Sequence, residues 1–124
     1  MATATSTPLH DLLRALERPR HPAPVLGRWR WTVRRHLGPV RDLLQAEASD
    51  SVDERLSARD GRVLRERSTL LERLTALATQ VLESGDPEAV ALQLRRLVTD
   101  IEHHRQRLHD LAYDDVELEI GGSE

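Results

Sequence analysis

Leucine and valine recur at steps of three and four residues through most of this 124-residue chain. Residues at that spacing share one face of an α-helix, so each such stretch forms an apolar stripe that must be buried against another element. Segments rich in proline, glycine or acidic residues interrupt the pattern at residues 17–24, 47–54 and 84–88. The sequence therefore predicts an all-α fold, an antiparallel helical bundle of three long helices plus a short N-terminal helix.

The interruptions also predict where the helices begin and end. Gly38-Pro39 falls inside the second helix, but the apolar phase continues across it, which favours one kinked helix over two separate ones. Asp86 and Pro87 suit the N-cap and the first position of the last helix. The predicted helices span residues 7–16, 27–48, 52–83 and 87 to about 114 or beyond.

The pattern divides the chain into three parts. Residues 1–27 hold the short helix and a Pro-rich connector, residues 28–115 form the bundle, and residues 116–124 form an acidic tail. In the tail, apolar residues alternate with glutamate. An extended tail would therefore place three apolar residues on one side and could pair with the edge of a β-sheet in a partner. These residues are Val116, Leu118 and Ile120. Alternatively, the tail is the end of the last helix, closed by Gly121.

Several classes of protein are not supported by the sequence. Without cysteine the chain has no disulfide framework, thiolate metal site or cysteine nucleophile. No apolar run approaches the roughly 20 residues that span a bilayer, which predicts a soluble, cytoplasmic protein. A Gly-rich phosphate loop and a G-x-S-x-G nucleophile motif are also missing, so we do not expect an ordinary enzyme.

Charge is unevenly distributed along the chain. Residues 1–41 carry eight arginines and two acids, a net charge of +6, whereas residues 110–124 carry six acids and no base, a net charge of −6. Either end could steer a partner of opposite charge. The alternative is that the two ends neutralise each other, within one molecule or between neighbours.

Each long helix also carries polar residues on its apolar stripe. His104 lies in the stripe of the last helix and His36 in that of the second, while Glu66 or Arg67 of the third lies at about the same height. The sequence therefore predicts an inward polar layer, since such groups need partners when buried. The layer could be a hydrogen-bonded set that fixes helix register, a metal site or a proton-sensing group.

An antiparallel bundle with an inward histidine on an early helix, followed by "HRQRLH" on the closing helix, resembles the hemerythrin-like cation-binding family. That resemblance implies a four-helix bundle with a non-haem di-iron centre that handles oxygen, nitric oxide or iron. No cofactor is our first expectation, and iron or another divalent metal is the alternative. The candidate ligands are His36, Asp60, Glu66, His104 and His109.

The segment "GRWRWTVRR", residues 27–35, interleaves two tryptophans with four arginines. Stacking rings beside positive charge suit single-stranded nucleic acid or a membrane interface, although the basic field is narrow for nucleic acid. We expect a small non-enzymatic protein that acts in protein interaction or regulation, with another protein or as a homodimer. The expected contact residues, besides the three apolar tail residues, are Arg28, Trp29, Arg30, Trp31, Arg34 and Arg35.

Overall fold

In the computed structural model of the chain, the backbone is described for residues 7–47 and 61–122, and the side chains of these ranges as far as residue 110. These residues form helices and connections, with no strand among them. This confirms the predicted all-α fold. The helices are α1 (Thr7–Leu16), α2 (Ala23–Ala46), α3 (Gly61–Glu83) and α4 (Pro87–Gly122).

The helices pack in cyclic order around a shared core. α2 contacts α1 and α3, and α4 contacts α3 and α1, so that α2 and α4 lie diagonally across the bundle. Because the neighbours α2, α3 and α4 alternate in direction, the diagonal pair α2 and α4 runs parallel. None of the described helices is long and apolar enough to cross a membrane.

α2 begins four residues earlier than the apolar pattern predicts. Its N-cap is Pro22, and Pro24 lies in its first turn, where proline is tolerated because the missing N–H would have no intrahelical acceptor. The helix continues through Pro39, as the unbroken apolar phase predicts, and ends at Ala46. The predicted start of the third helix at Val52 lies outside the described residues.

The connection between α3 and α4 follows the prediction. α3 ends at Glu83 and α4 begins at Pro87. The Oδ1 atom of Asp86 accepts a hydrogen bond from the backbone N–H of Ala89 at 3.1 Å, which is the geometry of an N-cap. The side chain therefore satisfies one of the N–H groups that the first turn of a helix leaves without an acceptor.

α4 continues as a helix to Gly122, so the C-terminal segment takes the helical alternative and not the extended one. In an extended chain, residues two apart share a side, whereas in a helix they are turned away from one another by more than half a turn. The row of Val116, Leu118 and Ile120 along one side belongs to the extended alternative; the side chains of these residues lie outside the described ones, and their role as contact residues stays a prediction.

Among the described residues, the core consists of leucine, valine, isoleucine and alanine side chains with one aromatic ring. Leu9, Leu12 and Leu16 of α1 are fully buried, so the short helix is part of the same core as the long ones. Each buried leucine contributes roughly 1.5–3 kcal/mol by leaving water. The ring is that of Trp29, of which 1% is exposed.

Arg20 joins three parts of the bundle near Trp29. Its guanidinium donates to the carbonyl of Leu16 at 2.8 Å and forms two bonds to the carboxylate of Glu88, at 2.9 and 2.7 Å. It also lies over the indole of Trp29, 5.3 Å from the ring centroid. The connector before α2 is therefore held to the start of α4.

Burial, and not residue type, decides the cost of truncating a leucine in α4. We expect Leu94→Ala to lower the free energy of unfolding by about 2–5 kcal/mol, because Leu94 is fully buried and its loss leaves a cavity. Leu92→Ala is the matched control: 52% of Leu92 is exposed, and we expect a change within about 0.5 kcal/mol. Urea denaturation followed by circular dichroism measures both, and equal losses would contradict the assigned core face.

Candidate functional site

His104 occupies the centre of a buried polar layer formed by three helices. None of its surface is exposed. Its Nδ1 atom lies 2.6 Å from Oε1 of Glu66 on α3, and its Nε2 atom lies 2.8 Å from Oε1 of Glu47, the C-cap residue directly after α2. The predictions that His104 faces the core and that Glu66 lies at its height are thus confirmed.

The hydrogen-bonding capacity of these groups determines the protonation state of His104. An ionised carboxylate only accepts hydrogen bonds, and a neutral imidazole has only one N–H to donate. With a carboxylate at each ring nitrogen, both nitrogens must donate, which requires the positively charged imidazolium. The layer is therefore a carboxylate–imidazolium–carboxylate cluster.

Two arginines complete the layer from α4. Arg105 donates to Oε2 of Glu47 at 3.2 Å, and Arg107 pairs with both carboxylate oxygens of Glu66. Two glutamates, one imidazolium and two guanidiniums leave the cluster with one net positive charge. Each carboxylate has two partners, which offsets the cost of removing it from water, a removal that is nearly complete for Glu47 and partial for Glu66.

Burial and hydrogen bonding act in opposite directions on the pKa of His104. Desolvation is the largest single influence and lowers the pKa, but the hydrogen bonds and charges of Glu47 and Glu66 together outweigh it and raise the pKa above its ordinary value. For Glu66, desolvation raises the pKa, while Arg107 and His104 together lower it below its ordinary value.

His36 does not join this layer, contrary to the prediction. Its Nδ1 atom donates to the carbonyl of Thr32 on the same helix at 2.8 Å, and its ring is half-buried beside α1. Glu47 takes the predicted place of His36, 11 residues further along, which is about 16 Å of helix. The sequence offered no sign of this role, because Glu47 lies where the predicted second helix, residues 27–48, overlaps the predicted turn segment, residues 47–54.

The candidate metal ligands are only partly brought together. Glu66 and His104 are in contact, His36 faces α1, His109 is exposed, and Asp60 lies outside the described residues. Among residues 7–47 and the described part of 61–122, no group of three histidine or acidic side chains is arranged to hold a metal ion. Glu47 and Glu66 each bind a different ring nitrogen of His104, on opposite edges of the imidazole. The two carboxylates and a ring nitrogen therefore do not point toward a common position where a metal ion could bind.

The arginine and tryptophan segment divides between the core and the surface. Trp29, expected at a contact surface, is instead buried and donates to the carbonyl of Leu16 at 3.3 Å. Arg30 donates to the carbonyls of Val81 and Ser84, where it satisfies acceptors at the end of α3. These two residues therefore support the fold.

The other four residues of that segment form an exposed surface, which we call the basic face: Arg28, Trp31, Arg34 and Arg35. Trp31 has 65% of its surface exposed. The arginines lie three or four positions from it, so they surround the indole on the outer side of α2. Within the described part of the chain, no hydrogen bond or ion pair holds any of these three guanidiniums.

A shallow groove runs beside the basic face between α1 and the start of α2. Its volume is about 350 Å³, and its lining includes Arg18, Val25, Arg28, Trp29 and Thr32. The groove combines an apolar floor with arginines at its edge. A partner that covered Trp31 could therefore also place an apolar side chain here.

Comparison of the chain with protein-family models, with curated proteins and with solved structures found no significant match. The hemerythrin-like resemblance therefore stays a prediction from the sequence. The buried layer and the basic face are the two features from which a function can be inferred.

The folded protein should lose stability as pH rises above neutrality, because the raised pKa of His104 makes the folded state hold a proton that the unfolded state releases. The contribution of His104 to the free energy of unfolding is complete below about pH 6.5, and it disappears as the pH rises through the pKa of His104 in the folded protein. The slope for one proton is at most about 1.4 kcal/mol per pH unit. Glu66, with its lowered pKa, contributes in the opposite sense: its part is complete above about pH 4.3 and disappears as pH falls.

Urea denaturation between pH 5 and pH 9.5 measures this dependence. His104→Gln should flatten the alkaline decline, whereas His103→Gln, an exposed neighbour, should leave it in place. We also expect His104→Gln to lower the free energy of unfolding at pH 6 by about 1–3 kcal/mol, because two carboxylates lose a charged donor. An unchanged slope in His104→Gln would refute the imidazolium assignment.

The protonation of the ring can also be observed directly. At neutral pH, two-bond ¹H–¹⁵N correlations should show both ring nitrogens of His104 protonated. Glu47→Gln and Glu66→Gln should each lower the midpoint of this titration, because each removes a negative charge in contact with the ring. Glu102→Gln, an exposed position on the same helix, serves as the control.

Proposed function

We propose that this protein is a non-enzymatic interaction module that binds an acidic protein segment through the basic face of α2. The observation that carries the proposal is the exposed Trp31 among Arg28, Arg34 and Arg35. Large aromatic residues and arginine are the residue types most enriched where protein interfaces have most of their binding energy.

The charge state of the face supports an acidic partner. Arginines whose charges are neutralised inside a protein contribute little to binding, as for Arg20, which is held by Glu88. Arg28, Arg34 and Arg35 have no such partner among the described residues. Carboxylates of a binding partner could therefore form bidentate pairs with them without first breaking an internal ion pair.

A protein partner fits the face better than nucleic acid does. Binding of single strands relies on several aromatic rings on which successive bases stack, together with a groove of positive charge. With Trp29 buried, Trp31 alone remains for stacking in this segment.

Fluorescence anisotropy of a labelled, helix-forming peptide of alternating glutamate and alanine tests the proposal. We expect binding that weakens with added salt and is reduced about tenfold or more by Trp31→Ala and by the double variant Arg28→Glu/Arg35→Glu. The binding is electrostatic in part, so its salt dependence should be smaller in the double variant.

Matched controls are available on the opposite side of the bundle, on the outer face of α4. Leu92→Ala removes an exposed apolar side chain, and Arg95→Glu/Arg96→Glu reverses two exposed arginines. Neither should change the affinity. If the control variants weaken peptide binding as much as the variants of the basic face do, the basic face is not the binding site. If a labelled oligothymidine binds more tightly than the peptide, the partner is nucleic acid instead.

A further inference from the structure

The groove between α1 and the start of α2 differs in its lining from three other cavities formed by the described residues. Pro19, Val25 and the indole of Trp29 give the groove apolar walls. The other three cavities, one beside His36 and two along the contact of α3 with α4, are lined mainly by charged or amide side chains. The groove therefore suits an apolar side chain, which gains free energy by leaving water.

Two exposed arginines lie at the edge of the groove, Arg18 and Arg28. Within the described part of the chain, no hydrogen bond or ion pair holds either guanidinium. The third basic residue of the lining is His21, whose Nε2 atom lies 3.5 Å from a carboxylate oxygen of Glu88. A partner that brings carboxylates to the edge of the groove therefore finds two guanidiniums without acceptors.

The groove and the basic face are continuous, because Arg28 belongs to both. Val25 and Thr32 line the groove from α2 and are seven residues apart, which is about 10 Å, or two helical turns. Trp31 directly precedes Thr32 and projects about 100° further around the helix. A helical segment laid against the outer side of α2 can therefore reach the groove and the indole of Trp31 together.

Acidic residues of α1 and its C-terminal end limit the direction in which such a segment extends. The neighbouring cavity shares Arg18 and Thr32 with the groove, and Asp11 and Glu17 also line it. These two carboxylates repel an acidic segment. The segment therefore continues from the groove toward Arg28 and the basic face, and not along α1.

We propose, on the basis of the function proposed above, that the acidic segment bound by the basic face carries one large apolar residue that enters the groove. Carboxylates before and after that residue pair with Arg18 and Arg28, and the rest of the segment lies across Trp31. The apolar residue provides the specificity, because many acidic segments pair with arginines, but only one with an apolar residue at the right place also fills the groove.

A single substitution in the peptide tests the groove. The labelled glutamate–alanine peptide is compared with a copy in which one central alanine is replaced by leucine. We expect the leucine peptide to bind the wild-type protein about tenfold more tightly, because the added side chain leaves water in the groove. In Thr32→Phe the ring of the protein itself fills the groove, so the two peptides should bind equally.

Thr99→Phe is the matched control, since it adds the same ring at an exposed threonine of α4, and it should keep the tenfold difference. Val25→Phe narrows the groove at its other end and serves as the second groove variant if Thr32→Phe does not fold. Circular dichroism verifies the fold of every variant.

The indole N–H signals of the two tryptophans report where the leucine lies. Trp29 lines the groove and Trp31 lies outside it, and Trp31→Phe assigns the two signals. In ¹H–¹⁵N spectra we expect the Trp31 signal to shift with either peptide. The Trp29 signal should shift further with the leucine peptide than with the alanine peptide, and this excess should disappear in Thr32→Phe.

The outcomes separate this proposal from the function on which it rests. A leucine peptide that binds no more tightly than the alanine peptide, or that keeps its advantage in the groove variants, overturns the groove as the site. If the alanine peptide still binds through Trp31 in that case, the interaction function stands without the groove. If neither peptide binds at low salt, the interaction function and the groove proposal are both rejected.

Discussion

A buried imidazolium between two carboxylates sets how the three long helices of this bundle meet. A buried charge is costly unless its partners are placed at hydrogen-bonding distance, so α2, α3 and α4 are held at the heights where Glu47, Glu66 and His104 coincide. Leucine stripes alone tolerate small shifts along a helix, because one leucine packs much like the next. The polar cluster restricts these shifts, since a displacement by one turn would leave a buried charge without its acceptor.

Arginines near the start of α2 differ in whether the fold neutralises their charge. Arg20 forms an ion pair with Glu88, and Arg30 donates hydrogen bonds to backbone carbonyls at the end of α3. The guanidinium groups of these two arginines are therefore already bonded within the protein. Those on the outer side of α2 have no such acceptors among the described residues, and they give the basic face its unneutralised charge.

Burial also separates two neighbouring tryptophans that the sequence presents as a pair. Trp29 and Trp31 are turned by more than half a helical turn from each other, so one enters the core while the other lies on the surface. The first anchors the connector through Leu16 and Arg20, and the second is available to a partner. The segment has the sequence of one aromatic and basic motif, but one of its tryptophans supports the fold and the other forms part of an exposed surface.

The helices and their inward faces could be predicted from the sequence, because apolar spacing and the Asp86–Pro87 cap depend on local chemistry alone. The inward position of His104 follows from the same spacing. Its partners do not, because the height at which Glu47 meets His104 depends on how long each connection is and where each helix begins. Glu66 lies only five residues from Gly61, at the end of α3 that meets the end of α2, so Glu47 and not His36 completes the layer.

The net charges of the two ends were likewise fixed by the residues themselves. Only the tertiary structure decided that the basic face and the acidic residues that follow His109 lie toward opposite ends of one molecule, because α2 and α4 run parallel and the helix of α4 continues to Gly122. Sequence determines which side chains must find partners, through their polarity and helical phase. The packing of the helices determines which partners are within reach.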